Sequence, residues 1–203
     1  EHMHIVRDLF LLEYTGGKLH IPTISTAKSV ELIKEAKKKG LQVSCSVSAH
    51  HLTLVDDELQ FFDSKVKVTP PLRTKADTKA LQKGLKDGII DMITSDHNPI
   101  DTEHKKLEFS LSKDGTIGLE SLFGAVNTVL DLETTIKCLT INPRSVFGQD
   151  IQSIKKDTTA NFTLFNPEGS YLFSKDNILS TSKNSAFEGK KLQGTVYGIF
   201  ANK

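Results

Sequence analysis

Apolar residues fall at spacings of three and four through 5–14 (IVRDLFLLEY), which predicts an amphipathic helix that Gly16 and Gly17 stop. KLHIPTIS (18–25) reads as a short strand. TAKSVELIKEAKKKG (26–40) reads as a helix with Thr26 as N-cap, basic residues in its last turn and Gly40 just past its end. LQVSCSVS (41–48) is rich in β-formers. KVKVTPPLR (65–73) is extended, because Pro70 and Pro71 forbid a helix there. ADTKALQKGLKDG (76–88) returns to helical spacing, and IIDMITSD (89–96) is an apolar run that ends on polar residues, as a buried parallel strand does where its carboxyl end opens into a site. Two further helices are predicted over 118–131 and 133–148. Beyond residue 150 the period moves towards two, so that NFTLFNP, SYLF and GTVYGIF read as separate antiparallel strands. The order predicts a parallel α/β unit over 1–148 and a small β segment over 149–203. A complete (β/α)8 barrel needs eight strands and about 250 residues. Only three barrel-type strands are expected among these 203 residues, so a barrel would be present as a half.

Composition narrows the function classes. Lys and Arg number 26 against 25 Asp and Glu, a formal charge of +1, so no nucleic-acid or polybasic membrane footprint is expected. No apolar run approaches the roughly 18 to 20 residues that cross a bilayer. The two cysteines, Cys45 and Cys138, sit in apolar segments and form neither a CxxC site nor a disulfide framework, which fits reduced thiols in a cytoplasmic protein. The first residues lack the charged and apolar regions of a secretory signal and begin in what reads as mid-helix, without an initiator Met.

Chemistry in a parallel sheet gathers at the carboxyl ends of strands. Four stretches qualify: Thr23–Thr26, Ala49-His50-His51, Thr69 to Arg73, and Ser95 to Pro99. Asp96 is the most informative, since a carboxylate at the mouth of an apolar strand needs a metal, a proton or a hydrogen-bond partner to offset desolvation. It reads equally as a metal ligand or base and as a loop cap with His97 exposed. His50 and His51 read more readily as structural hydrogen-bonding groups than as ligands.

The runs LEYTGGKLHIPTISTAKSVELIKEAKKKGLQVSCSVSAHHLTL, KVTPPLRTKAD, DGIIDMITSDHNP, GTIGLESLFGA, ANFTLFNP and NSAFEGKKLQGTV together resemble the carboxyl-terminal half of a class I dihydroorotase, with dihydropyrimidinases and allantoinases as the nearest relatives. The resemblance implies units six to eight of an amidohydrolase (β/α)8 TIM barrel plus a small β-sandwich segment. It implies one or two zinc ions at the barrel mouth, and reversible hydrolysis of dihydroorotate to carbamoyl aspartate in de novo pyrimidine biosynthesis. Asp96 matches the aspartate that is both zinc ligand and general acid/base, the one catalytic residue carried over.

Departures accompany the matches. Thr23 occupies the position of a zinc-binding histidine, and a neutral hydroxyl is a poor substitute for imidazole on zinc. At the substrate-binding positions Thr69 replaces an asparagine and Ile100 a histidine that meets the substrate carboxylate, whereas His97, Asp114 and Gly115 are in place. The remaining family ligands would lie before residue 1, on a polypeptide about twice as long. From these changes the expectations are a degenerate site with weak or absent zinc and no turnover by this chain alone. The expected partners are the amino-terminal half of the same barrel, a second copy of the chain, and aspartate transcarbamoylase.

Overall fold

In the computed structural model, which describes residues 1–151 and 153–201, three parallel strands make one sheet in chain order. They are β1 (Leu19–Ile21), β2 (Val43–Ser48) and β3 (Met92–Thr94). β1 lies along the first half of β2, Leu19 opposite Val43, and β3 along the second half, Ser46 opposite Met92. All three strands are shorter than their sequence runs, and β1 and β3 most of all, for local reasons. Pro22 has no N–H to give, and Thr23 turns to φ 49°, so β1 stops at Ile21. Ile89 and Ile90 both send their N–H groups back to the Gly84 carbonyl, so ladder pairing starts only at Met92.

Helix α1 (His2–Thr15) precedes β1 and buries Ile5, Leu9 and Leu12. α2 (Ala27–Lys38) joins β1 to β2. Thr26 caps it by accepting the Ser29 N–H at 3.2 Å, and Val30, Ile33 and Ala36 face inward. A short helix, α3 (Ala49–Thr53), springs directly from β2, and α4 (Lys75–Lys86) leads to β3 with Leu81 and Leu85 buried. These rows meet Cys45, Val47, Leu52 and Ile90 in the main core. Both sulfurs are buried, and burial pushes the Cys45 thiol up to about 12 and Cys138 to about 11.

After β3 come a single turn, α5 (Thr102–Lys105), and then α6 (Leu122–Val129). The helix expected over 133–148 is divided into α7 (Leu132–Ile136), a π-helical turn at Lys137–Ile141 and α8 (Asn142–Val146). Pro143 lacks the N–H that would continue the α ladder, and the Asn142 amide reaches across to the Asp91 carbonyl at 2.9 Å. The tail departs from the expected strand count. NFTLFNP and the first three residues of SYLF belong to one strand, β4 (Asn161–Leu172), antiparallel to β5 (Lys191–Ala201), with register shifts around Phe165 and between Asn166 and Ser170. Pro167 cannot donate to a ladder and Gly169 takes φ 83°, so the chain bulges there without ending the strand. A second core, built on Leu54, Val68, Leu72, Ile117, Phe173, Phe187 and Leu192, fastens residues 173–192 onto the loops after β2 and β3. Among the described residues no helix is long and apolar enough to cross a membrane.

Candidate functional site

The carboxyl ends of the three strands open on one side of the sheet. Ser48 ends β2 and caps α3, which turns His50 and His51 inward, both buried. His51 is fully engaged: Nδ1 lies 2.6 Å from the Ser48 hydroxyl, and Nε2–H donates to the Pro70 carbonyl at 2.9 Å, the tautomer that satisfies both partners. His50 is different. Its Nε2 is buried with no hydrogen-bond partner, and the nearest acidic atom is Asp96 Oδ2 at 3.5 Å. Burial, and then the neighbouring His51, hold the His50 ring well below the usual imidazole range, so it is neutral at pH 7 and the contact is not an ion pair. Asp96, half-buried and at φ 45°, has its carboxyl raised by burial. The two groups thus form a pair in which neither is driven towards charge.

Thr23, after β1, is half-buried and donates its N–H to Ser46 Oγ at 3.1 Å. Next to it Ser25, Ser29 and Arg73 converge on the Glu1 carboxylate, tying α1, β1 and the PPLR segment together. Thr69 begins the cis Thr69–Pro70 bond and donates Oγ1–H to Asp114 Oδ2 at 2.6 Å. His97 accepts the N–H groups of Gly118 and Leu119 on Nδ1, at 3.2 and 3.3 Å, and pairs through its backbone with Thr116.

Gly115 is held from every side. Its N–H reaches the Lys67 carbonyl at 2.8 Å, and its own carbonyl accepts from Lys105 Nζ at 3.0 Å and from the Asn184 amide at 2.9 Å. A side chain there would meet Asn98 at 2.7 Å, and φ is 132°, so only glycine fits. Lys105 also donates to the Lys113 carbonyl, and burial lowers its amine to about 8. Ile100 stands apart from the His50–Asp96 pair. It lines a cleft of about 760 Å3 with Lys105, Lys183, Ser182 and Phe62, and neither His50, Asp96 nor His97 lines that cleft.

Of the residues named from the sequence, Thr69 and Asp114 are joined by a hydrogen bond, and Asp96, His97 and Gly115 all lie in the chain that follows β3. Sequence reasoning set His50 and His51 aside together, although only His51 is satisfied, and it missed the Lys105 clamp and the Glu120 carboxylate. Burial alone would raise Glu120, but hydrogen bonds from Ser180 outweigh it and hold the carboxyl below its usual range. Ser48, which caps α3 and bonds the His51 ring, is what sets the two histidines apart in the structure.

The residues present do not make a metal site by themselves. Among the described residues no three His, Cys, Asp or Glu side chains converge. Asp96 offers one carboxylate, and Thr23 only a neutral hydroxyl, a poor ligand for zinc.

The amidohydrolase family model matches residues 23–202. The chain belongs to the amidohydrolase family. Among amidohydrolase relatives, the dihydroorotase of Endomicrobium trichonymphae is 40% identical over 201 residues, 96% of this chain and 48% of that protein. The dihydroorotase of Caldanaerobacter subterraneus subsp. tengcongensis is 37% identical over 202 residues, 97% and 47%. The chain spans about half the length of the curated relatives it matches. Of solved amidohydrolase structures, L-hydantoinase (dihydropyrimidinase) from Arthrobacter aurescens superposes with TM-score 0.88 at 24% identity, over 100% of this chain and 49% of that one. The inactive dihydroorotase-like domain of the Chaetomium thermophilum CAD-like multifunctional protein gives 0.66 at 23%, over 96% and 52%. The three strands and their helices are therefore the carboxyl-terminal part of an amidohydrolase TIM barrel.

One consequence of the buried histidines is acid sensitivity. Burial keeps the folded-state pKa of His51 below its unfolded value of 6.5, against the opposing pull of the Pro70 and Pro71 carbonyls. The unfolded state then binds the proton more readily. This contribution to stability is complete above about pH 6.5 and is lost as pH falls towards the folded pKa, at up to about 1.4 kcal/mol per pH unit for each such histidine. His50 acts in the same direction, and Asp96, being raised, in the opposite one. Melting curves taken between about pH 7.5 and about pH 5.5 should show a falling midpoint, and His51→Gln should flatten that slope. An unchanged slope in the variant would remove His51 as the cause.

Proposed function

We propose that this chain is the carboxyl-terminal half of a cytoplasmic dihydroorotase-like polypeptide of de novo pyrimidine biosynthesis whose hydrolytic site has degenerated. It keeps the barrel as a structural partner of aspartate transcarbamoylase. The reading rests on the mouth of β1: the resemblance gives the position of Thr23 to a histidine ligand, and here a neutral side chain stands there with its N–H turned to Ser46. The dihydroorotase names of the relatives at 37–40% identity favour this substrate class over that of hydantoinases, whose solved structures are under 25% identical. The C. thermophilum neighbour, described as inactive, is a precedent for a barrel retained without turnover.

A second reading rests on His50. Its orphaned Nε2, 3.5 Å from Asp96, offers a nitrogen donor beside the one carboxylate, and an active variant site with a single metal would use that pair. Elemental analysis for zinc and a dihydroorotate hydrolysis assay on the same sample of full-length polypeptide separate the two. The expected result is well under one zinc per chain and no turnover, from the full-length polypeptide and from this chain alone. Near-stoichiometric zinc with turnover would overturn the proposal. If the full-length protein carrying Thr23→His with Ile100→His still binds no zinc, loss of those two side chains is not what disabled the site.

A further inference from the structure

The cleft of about 760 Å3 that Ile100 lines falls within the roughly 300–1,000 Å3 of small-molecule sites. None of Thr69, Asp96, His97 or Asp114 lines it, so it is separate from the groups at the barrel mouth. Its walls are three segments, 62–65, 100–107 and 175–188, and each is tied to the other two. Ser64 Oγ donates to the Lys105 carbonyl at 2.6 Å, Ser182 Oγ to the Ile100 carbonyl at 2.7 Å, and Lys65 Nζ to Glu188 at 2.6 Å. The cleft is therefore built by the fold.

Charge and shape each say what it would hold. Five lysines line the cleft against two carboxylates, Asp63 and Glu188, in a chain whose formal charge is only +1. Both carboxylates are engaged: Asp63 accepts the Lys65 N–H at 2.9 Å, and Glu188 is shared by Lys65 and Lys175. Lys105 and Lys183 give their amines to neutral carbonyls, those of Lys113, Gly115 and Ile178, and Lys106 is exposed. Lys105 is 5% exposed, and burial lowers its amine only to about 8, so it is still charged at pH 7. An anion in the cleft would offset that desolvated positive charge. Phe62 supplies the shape. It lines the same cleft at φ 51° and ψ 33°, a left-handed conformation that a bulky side chain rarely enters, with the residue 70% exposed and its ring in a T-shaped contact with Phe109 at 5.8 Å. A strained backbone that holds an aromatic ring out beside a cationic cleft suits the stacking of a flat ring.

We propose that this cleft binds a nucleotide-like ligand, an aromatic ring carrying a phosphate chain, with the ring on Phe62 and the phosphates among Lys105, Lys106, Lys175 and Lys183. Such binding does not depend on turnover at the barrel mouth.

Isothermal titration of the full-length polypeptide with magnesium-free ATP and with inorganic tripolyphosphate tests this. ATP should bind at about one per chain, and tripolyphosphate about tenfold more weakly or worse, because it lacks the ring. Phe62→Gly, which the left-handed backbone accepts, should weaken ATP to the same extent without lowering the melting midpoint. Lys106→Ala should weaken both probes by about tenfold, whereas Lys34→Ala, on the exposed side of α2, should change neither. Failure of ATP to bind the full-length polypeptide overturns the proposal. So does ATP binding that Phe62→Gly and Lys106→Ala leave unchanged, or tripolyphosphate binding as tight as that of ATP. Displacement of ATP by poly-glutamate at equal concentration would also overturn it, assigning the cleft to an acidic protein segment.

Discussion

Gly118→Ala should destabilise the protein by about 3 kcal/mol or more, one of the largest effects of any single-methyl addition to this chain. A β-carbon built on Gly118 would stand 2.2 Å from the Ser95 carbonyl oxygen, far inside van der Waals contact, and that oxygen is backbone, with no rotamer to yield. Both sides of the contact are pinned. Ser95 leads from β3 into Asp96 at φ 45°, and the stretch before Gly118 is tied down by the His97–Thr116 bridge and by the Ile117 N–H on the Asn184 carbonyl. Relief must move either the Asp96 turn or the loop, breaking the Gly118 and Leu119 bonds to His97. Thermal unfolding should show a midpoint lower by roughly 6 °C or more. Gly198→Ala is the matched control, since its β-carbon would enter open space and its backbone asks for no special conformation. Equal midpoints for the two variants would mean that the loop gives way freely.

Phe173→Ala should cost about 3–5 kcal/mol, the range for emptying a fully enclosed aromatic site. Phe173 is 1% exposed in the second core, where it joins Phe187 and Leu192 from the tail to Leu54, Val68, Leu72 and Ile117 from the loops above β2 and β3. Its backbone is held as well, by the Lys190 carbonyl and the Gly189 N–H. Truncation therefore loosens the tail and, through Ile117, the Gly115–Gly118 segment beside Asp96. Unfolding in denaturant should show the lost free energy, and limited proteolysis should cut near residues 174–190 sooner than in wild type. A variant as stable and as resistant as wild type would mean that the tail is fastened elsewhere.

How far the sequence could be read depended on whether each signal was local. Thr26 before an amphipathic run foretold α2 to within two residues, because a cap and a period of 3.6 are properties of neighbouring residues. The parallel strand order was legible for the same reason. Strand lengths were not: Thr23 leaves the β region after Pro22, and Ile89 and Ile90 bend back to Gly84, both set by what lies next to the sheet. The predicted helix over 118–131 lost its first turn, since Gly118 is needed for a close approach to Ser95. The place of Asp96 just past the end of β3 was legible from the strand pattern. The difference between a satisfied His51 and an unsatisfied His50 depends on a ring orientation that two adjacent letters of sequence do not encode.

The two thiols are built-in clocks for breathing motions. Cys45 lies in the middle strand between β1 and β3, and Cys138 in the π-helical turn. Thiolate is the reactive form, and burial holds both groups near or above 11, so an alkylating reagent meets either sulfur at neutral pH only in molecules that have opened locally. The rate at which Cys138 is labelled reports the helix lifting from the barrel wall, and the rate for Cys45 reports the sheet itself coming apart. The interval between those two rates measures how much more cohesive the sheet is than the helices wrapped around it.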